Sequence, residues 1–274
     1  MKLIVVLFCV IAVVAAAPGR SYYGLAPSGR VVGGVDALPH QFPAIVSLQR
    51  VVLNRSSHVC GGSIINPLWI LTAAHCITEL PAGTRFLIWA GSHNISAEEE
   101  NTRQIRAVVY SITHPDYQGG VNPSDIAVMR MERPLEYTQY VQESIFPQPG
   151  EVFESGPSVL AGWGSTGGVI LPRLPDILQT AEKPLLDFDT CERANGAGSP
   201  LGPTNICTGP LSGGVAACSG DSGGPLYVVD NNGLQKQIGI VSWGWFPCGT
   251  VGRPSVYVGV PSYIEWVYAT INTF

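Results

Sequence analysis

The sequence predicts an all-β protein, and three observations support this fold class. The chain has 274 residues, of which 46% are apolar and only 13% charged, so it can bury a large core. Its 32 glycines and 22 prolines interrupt the chain at short intervals, which is typical of turns between short strands. Between them lie runs rich in β-branched residues, at 44–48, 64–65, 106–112 and 238–242. We therefore expect one large all-β domain or two small ones.

The N-terminus has the layout of a cleavable secretory signal. Lys2 precedes an unbroken apolar stretch, residues 3–14, and three alanines follow at 15–17. This stretch is too short to span a bilayer, and the alternative, a buried N-terminal strand, would show polar residues alternating with the apolar ones. A cut after the second alanine keeps the next proline away from the cleavage position. We expect residues 1–16 to be a signal peptide and residues 17–30 a propeptide.

The charge of the remaining chain excludes one class of partner. From Val31 onwards the sequence has 12 Lys and Arg residues against 20 Asp and Glu residues, a net charge of −8. These charges are spread along the chain, which indicates a solvated acidic surface. Nucleic acid is therefore not expected as a partner, and no segment after the signal is apolar enough to predict a membrane span.

The cysteine content indicates an oxidising compartment. Six cysteines remain once Cys9 is removed with the signal: Cys60, Cys76, Cys191, Cys207, Cys218 and Cys248. An even number with two early and four late cysteines favours local disulfides, each contributing about 3 kcal/mol, and no spacing typical of a zinc site competes. Two glycosylation acceptors, Asn54 and Asn94, fit the same compartment.

Residues 220–225, Gly-Asp-Ser-Gly-Gly-Pro, can present a serine nucleophile. Glycines on both sides of Ser222 permit a tight turn with positive φ and let consecutive N–H groups point at one place. Acyl transfer by serine needs such an exposed hydroxyl, a base, a group that orients the base, and donors for the oxyanion. A plain surface loop is the alternative interpretation, so the case depends on the other residues of the chain.

A candidate base and its orienting group occur earlier in the sequence. His75 follows two alanines and precedes Cys76, whose disulfide would fix the local backbone. Asp125 leads into the apolar run 126–128, where a buried carboxylate needs a hydrogen-bonded partner. Taken singly, His75 is as consistent with a structural histidine and Asp125 with a turn residue at the start of a strand.

Together these motifs resemble the chymotrypsin and trypsin family of serine endopeptidases, in that family's order of histidine, aspartate and serine. The resemblance covers residues 31–274. It extends to Arg30-Val31-Val32-Gly33-Gly34, Cys60-Gly61-Gly62-Ser63, Gly162-Trp163-Gly164, Ser242-Trp243-Gly244 and Pro254-Ser255-Val256-Tyr257.

The resemblance implies a specific architecture. It implies two six-stranded antiparallel β-barrels, at about 31–145 and 146–258, with the site in the cleft between them. A C-terminal helix is expected at about 261–272. The implied disulfides are Cys60 to Cys76, Cys191 to Cys207, and Cys218 to Cys248.

The resemblance also implies the chemistry. Ser222 is the implied nucleophile, His75 the base and Asp125 its orienting group, with the N–H groups of Gly220 and Ser222 as the oxyanion hole. Cleavage between Arg30 and Val31 would create an α-ammonium that pairs with Asp221, so the protein is expected to be a zymogen activated by a trypsin-like protease. No cofactor or metal is expected, because Ser92 replaces the carboxylate of calcium-binding members and residues 98–100 are read as a solvated acidic loop.

Specificity is expected to come from an uncharged primary pocket. The resemblance implies substrate-binding roles for Ala216, Ser242, Trp243, Gly244 and Ser255. The small, uncharged Ala216 disfavours Arg or Lys, and the open Gly244 favours Phe, Tyr, Leu or Met at the cleaved bond, as in chymotrypsin. Ser255 is bulkier than the usual glycine, which leaves an elastase-like preference for smaller aliphatic residues as the alternative.

We therefore expect a secreted, monomeric serine endopeptidase with a digestive or broad proteolytic role. Its partners would be protein or peptide substrates, the activating protease and protein inhibitors. The alternatives are a cascade protease with one protein substrate and a non-catalytic adaptor, although none of the three residues that the chemistry needs is missing.

Overall fold

A computed structural model of the protein describes residues 32–166 and 174–274. The predicted signal peptide, the propeptide, Arg30 and Val31 lie outside the described residues. Among the described residues, no helix is both long and apolar enough to cross a membrane.

The first half of the chain forms a closed antiparallel barrel. Its strands are β2 (Ile45–Val52), β3 (Arg55–Asn66), β4 (Trp69–Thr72), β5 (Arg85–Ala90), β6 (Gln104–Thr113) and β7 (Ala127–Met131). They pair in the order β2-β3-β4-β7-β6-β5, and β5 pairs with β2 to close the ring. The β2–β3 hairpin turns at Leu53 and Asn54, both with positive φ (48° and 60°), as a two-residue hairpin requires. A short helix, α1 (His75–Thr78), follows β4.

The second half forms another six-stranded ring. Its strands are β8 (Pro157–Gly162), β9 (Gln179–Leu186), β10 (Asn205–Thr208), β11 (Pro225–Val229), β12 (Gln235–Gly244) and β13 (Ser255–Gly259). The β8–β9 pairing closes the order β9-β10-β13-β12-β11-β8. An additional short strand, β1 (Val35–Asp36), pairs with β9, so the N-terminal end of the described chain joins the second barrel.

Alternation of buried and exposed residues explains why these segments are strands. Along β9, Ala181 and Leu185 are buried while Glu182 and Pro184 are exposed, the period of two that places successive side chains on opposite faces. Longer apolar runs such as 126–129 are fully buried because both faces are covered. Since each barrel is closed, none of its own strands is left as an unpaired edge.

Two further helices complete the fold: α2 (Phe188–Asn195), between β9 and β10, and the C-terminal α3 (Ile264–Thr273). A 3₁₀ turn (Val260–Ser262) precedes α3. The buried Tyr263 at the start of α3 donates its hydroxyl hydrogen to Pro123 O (3.1 Å), which attaches the helix to the loop before β7. The predicted all-β architecture of two six-stranded barrels and a C-terminal helix is confirmed.

The three expected disulfides are present: Cys60–Cys76, Cys191–Cys207 and Cys218–Cys248. The first closes 16 residues around His75, and the third closes 30 residues around Ser222. Two of the three thus fix the backbone beside a candidate catalytic residue.

Candidate active site

His75 lies on the first barrel, at the start of α1. The preceding Ala73 and Ala74 are completely buried, so the chain leaves β4 inside the protein and delivers the imidazole to the surface of the barrel. The His75 backbone N–H donates to Asp125 Oδ1 (2.9 Å), and the ring Nδ1 lies 2.7 Å from Asp125 Oδ2. Backbone and side chain of His75 are therefore held by the same carboxylate.

Asp125, just before β7, is 1% exposed and accepts a third hydrogen bond. Ser242 of β12 donates its hydroxyl hydrogen to Asp125 Oδ2 (2.6 Å), which joins the two barrels. Burial alone would lower the pKa of His75, but its hydrogen bond to Asp125 and the charges of Asp125 and Glu79 raise the pKa above its ordinary value. The carboxylate therefore stabilises the imidazolium form, as proton abstraction by the imidazole requires.

Ser222 lies on the loop before β11. Gly220 and Gly223 on either side have positive φ (99° and 76°), which a side chain would strain. A Cβ on Gly223 would also lie 2.6 Å from Gly61 O, while the Gly61 N–H donates to Ser222 O (2.8 Å). The glycines thus let the loop of the second barrel press against β3 of the first, which brings Ser222 to the barrel interface.

The backbone around Ser222 is suited to receive a negative charge. Neither the N–H of Gly220 nor that of Ser222 donates a hydrogen bond to another described residue, whereas the Asp221 N–H donates to Cys218 O (2.9 Å). The Ser222 hydroxyl likewise makes no hydrogen bond within the described part of the chain. The hydrogen bond between a catalytic serine and its base is often long in proteins without substrate and shortens when the reacting complex forms.

His58 is a residue of this site that sequence reasoning missed. Its ring Nε2 donates to Gly220 O (2.9 Å), and its Nδ1 accepts from the hydroxyl of Ser47 (2.7 Å), which itself accepts from Gln49 Nε2. The first barrel therefore holds the Gly220 peptide through a buried chain of hydrogen bonds. Alternation along β3 could not have revealed it, because the register shifts between Leu48, which pairs with Cys60, and Gln49, which pairs with His58, so that His58 faces away from Cys60.

Protonation of His58 is expected to destabilise the protein in acid. Burial lowers its pKa from the ordinary 6.5 to about 4, although the bond to Gly220 opposes the shift. Between these values the unfolded chain binds a proton that the folded protein excludes, so stability is lost as the pH falls, by about 3 kcal/mol near pH 4. Urea unfolding of a Ser222→Ala protein, which cannot digest itself, at pH 7 and pH 4 measures the loss.

The matched comparison is His58→Gln in the same Ser222→Ala background. The decrease in its free energy of unfolding between pH 7 and pH 4 should be smaller by about 3 kcal/mol. His40→Asn is the control, since it removes a histidine outside this chain of hydrogen bonds, and asparagine tolerates the positive φ of position 40 (56°). An equal acid loss with and without His58 would show that this histidine does not carry the effect.

Asp221 is a buried carboxylate without a directly bonded cation among the described residues. It is 0% exposed and accepts from the N–H groups of Gly164 (2.8 Å) and Cys218 (2.9 Å). Burial raises its pKa to about 6, although these two bonds and the charge of Lys183 lower it. Val32 lies nearby, since its carbonyl accepts from Ala216 N–H (3.3 Å). The chain that follows Val31 therefore approaches the Asp221 loop.

A cavity of about 210 Å³ opens beside Ser222. The described residues that line it are uncharged and lie at 217–219, 222, 241–246 and 248. Three of the five expected substrate-binding residues line it: Ser242, Trp243 and Gly244. The other two, Ala216 and Ser255, are buried (5% and 3% exposed) behind this lining.

Aromatic side chains form the rim of the cavity. Phe246 is 67% exposed, and the Trp245 ring is held by a hydrogen bond from its Nε1 to Asn195 Oδ1 (2.8 Å) and by the Arg253 guanidinium 3.9 Å from its centroid. The Trp245 ring is therefore fixed in place before substrate binds.

In the acidic loop at residues 98–100, the carboxylate of the central residue, Glu99, accepts hydrogen bonds from nearby residues of the chain. Glu99 accepts from the backbone N–H groups of His93 (3.0 Å) and Asn94 (2.9 Å) and from Arg103 Nη2 (3.0 Å). Arg103 Nε also donates to Ser92 Oγ (2.7 Å). Both Glu99 oxygens are thus engaged by donors of the chain itself, which disfavours this carboxylate as a calcium ligand.

The two glycosylation acceptors differ in their surroundings. Asn54 is exposed at the tip of the β2–β3 hairpin. Asn94 is half-buried, and its Oδ1 accepts from the N–H groups of Ser96 (2.9 Å) and Ala97 (3.0 Å), so the amide nitrogen lies on the other side of the side chain. Asn54 is the more accessible of the two.

A double β-barrel with a buried aspartate, a histidine bonded to it and a glycine-flanked serine at the barrel interface is the arrangement of a Ser-His-Asp hydrolase. Comparisons agree with this class. The chain matches the family model described as Trypsin over residues 31–267. It is 33% identical over 257 residues to Lectizyme of Glossina austeni, an alignment that covers 90% of this chain and 89% of that protein.

Two mammalian proteins are similarly related. Chymotrypsin-C of Bos taurus is 34% identical over 244 residues, 88% of each chain. Transmembrane protease serine 9 of Rattus norvegicus is 36% identical over 242 residues, which are 88% of this chain but 22% of that protein. The chain belongs to the trypsin family and is a serine endopeptidase.

Proposed function

We propose that the protein is a secreted endopeptidase, made as a zymogen, that cleaves peptide bonds through an acyl-enzyme on Ser222. The observation that carries the proposal is the hydrogen-bonded set of His75, Asp125 and Ser242 at the same barrel interface as Ser222. Because Asp125 occupies Nδ1 of His75, the lone pair on Nε2 remains for the proton of the serine hydroxyl.

The reaction then follows from the positions of these groups. Ser222 Oγ attacks the carbonyl carbon of the substrate while His75 takes its proton, and the C–O bond forms as the carbonyl oxygen becomes negative. The N–H groups of Gly220 and Ser222 receive that oxyanion, and loss of one such donor typically lowers the rate by about 10² to 10³. His75 returns the proton to the leaving amine, and water later hydrolyses the ester by the same route.

Secretion and activation are parts of the proposal. The signal-like residues 1–16, three disulfides and the exposed acceptor Asn54 all fit an oxidising, extracellular compartment. Activation would cut between Arg30 and Val31, and the new α-ammonium would supply the cation that buried Asp221 lacks. Digestive or general extracellular proteolysis is the role we propose.

The pocket supports cleavage after large apolar residues. Its lining is uncharged, and at Gly244 an added Cβ would meet no atom closer than 4.0 Å, so the entrance is open. Ser255 is buried behind the lining, which weakens the reason for the elastase-like alternative. Cationic substrate residues are disfavoured, because none of the described residues that line the pocket is a carboxylate.

The proposed function is tested with an organofluorophosphonate probe. After limited trypsin treatment the protein should be labelled and should cleave peptides, because the probe reacts with a serine activated by a neighbouring base. A Ser222→Ala protein is the control and should remain unlabelled. An absence of labelling in the processed wild type would favour the non-catalytic adaptor instead.

The same processed protein, offered a mixed peptide library, reports which residue lies before the cleaved bond. Predominant Phe, Tyr, Leu and Met would support the large apolar preference. Predominant alanine and valine would favour the elastase-like alternative, and cleavage of very few sequences would favour a cascade protease.

A further inference from the structure

Lys183 is a buried amine that the proposed mechanism does not use. It lies on the inward face of β9 and is 0% exposed. When protonated it carries three N–H protons, but Ser255 Oγ (2.8 Å) is the one acceptor that the described residues offer it. An ammonium removed from water is costly unless it is paired and hydrogen-bonded. Lys183 therefore lacks the partners that its burial calls for.

Ser255 connects this ammonium to the substrate pocket. Its hydroxyl oxygen also accepts from Ala217 N–H (3.1 Å), and its backbone pairs with Gly244 across β12 and β13. Ala217 and Gly244 both line the cavity beside Ser222. Lys183 Nζ thus lies one side chain behind the pocket wall.

The groups around Lys183 leave its charge poorly compensated. Burial lowers its pKa to about 7, and Asp221 is the acidic residue whose charge opposes this shift. Both Asp221 oxygens, however, already accept backbone N–H groups, and in the proposed active form Asp221 pairs with Val31. The nearby hydroxyl of Tyr257 is neutral and shares a hydrogen bond with Thr208 Oγ1 (3.1 Å). Activation would therefore leave Lys183 without a counterion.

We propose that Lys183 makes the base of the pocket an anion subsite, so that the protein also cleaves after glutamate. This assignment depends on the proposed function, because it names a substrate class for the same pocket. Glutamate suits both parts of the pocket: its methylenes can pack on apolar lining residues such as Val241, while its carboxylate, at the wall that includes Ala217 and Gly244, is attracted by the protonated amine one side chain behind that wall. The same charge repels arginine and lysine.

The test uses the processed enzyme and three peptides that differ only before the cleaved bond, with Glu, Gln or Leu there. Glutamine has the shape of glutamate without the charge, so attraction to the protonated Lys183 favours Glu alone, and kcat/KM for Glu should exceed that for Gln by about 10-fold to 100-fold. In Lys183→Met the ratio of kcat/KM for the Glu peptide to that for the Gln peptide should fall to about one or below, while cleavage after Leu persists. Replacement of a buried charge by an apolar side chain of similar length is compatible with folding.

Lys236→Met is the matched control, since Lys236 pairs on the protein surface with Glu151 (2.8 Å) and should leave the ratio unchanged. A wild-type ratio near one would overturn the subsite, and this measurement needs no variant to fold. A high ratio that survives Lys183→Met would overturn the role of Lys183. A protein that is labelled by the fluorophosphonate and cleaves after Leu but not after Glu refutes the subsite alone, whereas one that is never labelled refutes the proposed function as well.

Discussion

Replacement of Asp125 by asparagine is expected to lower kcat by about 10⁴-fold, the magnitude known for this change in Ser-His-Asp triads. The reason lies in which atoms Asp125 contacts. Oδ1 accepts the backbone N–H of His75, so the new amide must keep its oxygen there and turn its NH₂ group towards the ring. That NH₂ group would donate to His75 Nδ1 and place the ring proton on Nε2. Nε2 could then no longer accept the proton of Ser222.

Steady-state hydrolysis of a peptide substrate by the processed Asp125→Asn protein measures this loss. Asp116→Asn is the matched control, because Asp116 precedes the same strand but its side chain is 79% exposed and lies 3.9 Å from His114. The control should keep wild-type kcat. If Asp125→Asn kept the wild-type kcat, Asp125 would have no role in catalysis, and the Ser-His-Asp mechanism would be wrong for this protein.

Much of the fold could be predicted because its signals are local. Short β-branched runs between glycines and prolines predicted strands, and the resemblance implied two barrels and three disulfides, all of which are present. The pairing of β1 with β9 could not be predicted in this way. Only two residues long, β1 has no periodicity of its own, and its partner lies more than 140 residues away along the chain.

The candidate site was predictable where a motif surrounds a residue and unpredictable where a side chain acts from a distance. His75, Asp125 and Ser222 each lie in a distinctive local sequence. Lys183 does not, although the alternation along β9 places it on the same inward face as Ala181 and Leu185. That pattern could have shown that a lysine points inward, but only the folded structure shows that its ammonium meets Ser255 beneath the pocket.

Arg30→Gln is expected to yield a folded precursor that trypsin cannot activate. Without the cut there is no α-ammonium at Val31, and Asp221 remains a buried carboxylate whose pKa is raised to about 6 by burial. Asp221 lies between the two proposed oxyanion donors, so an uncompensated charge there destabilises the loop that must hold them in place. Near-complete loss of peptidase activity is expected, with an unchanged circular dichroism spectrum.

Arg30→Lys is the matched control, since trypsin also cuts after lysine, and it should be activated normally. Activity and fluorophosphonate labelling are measured for both variants before and after trypsin treatment.

Full activity of intact Arg30→Gln would mean that Asp221 needs no new cation. Because Lys183 already places a positive charge near Asp221, that outcome would identify the lysine as the internal substitute for the α-ammonium, and the double variant Arg30→Gln with Lys183→Met should then be inactive. Inactivity of intact Arg30→Gln, together with activation of Arg30→Lys, would show that the charge of Lys183 cannot replace a terminus at Val31.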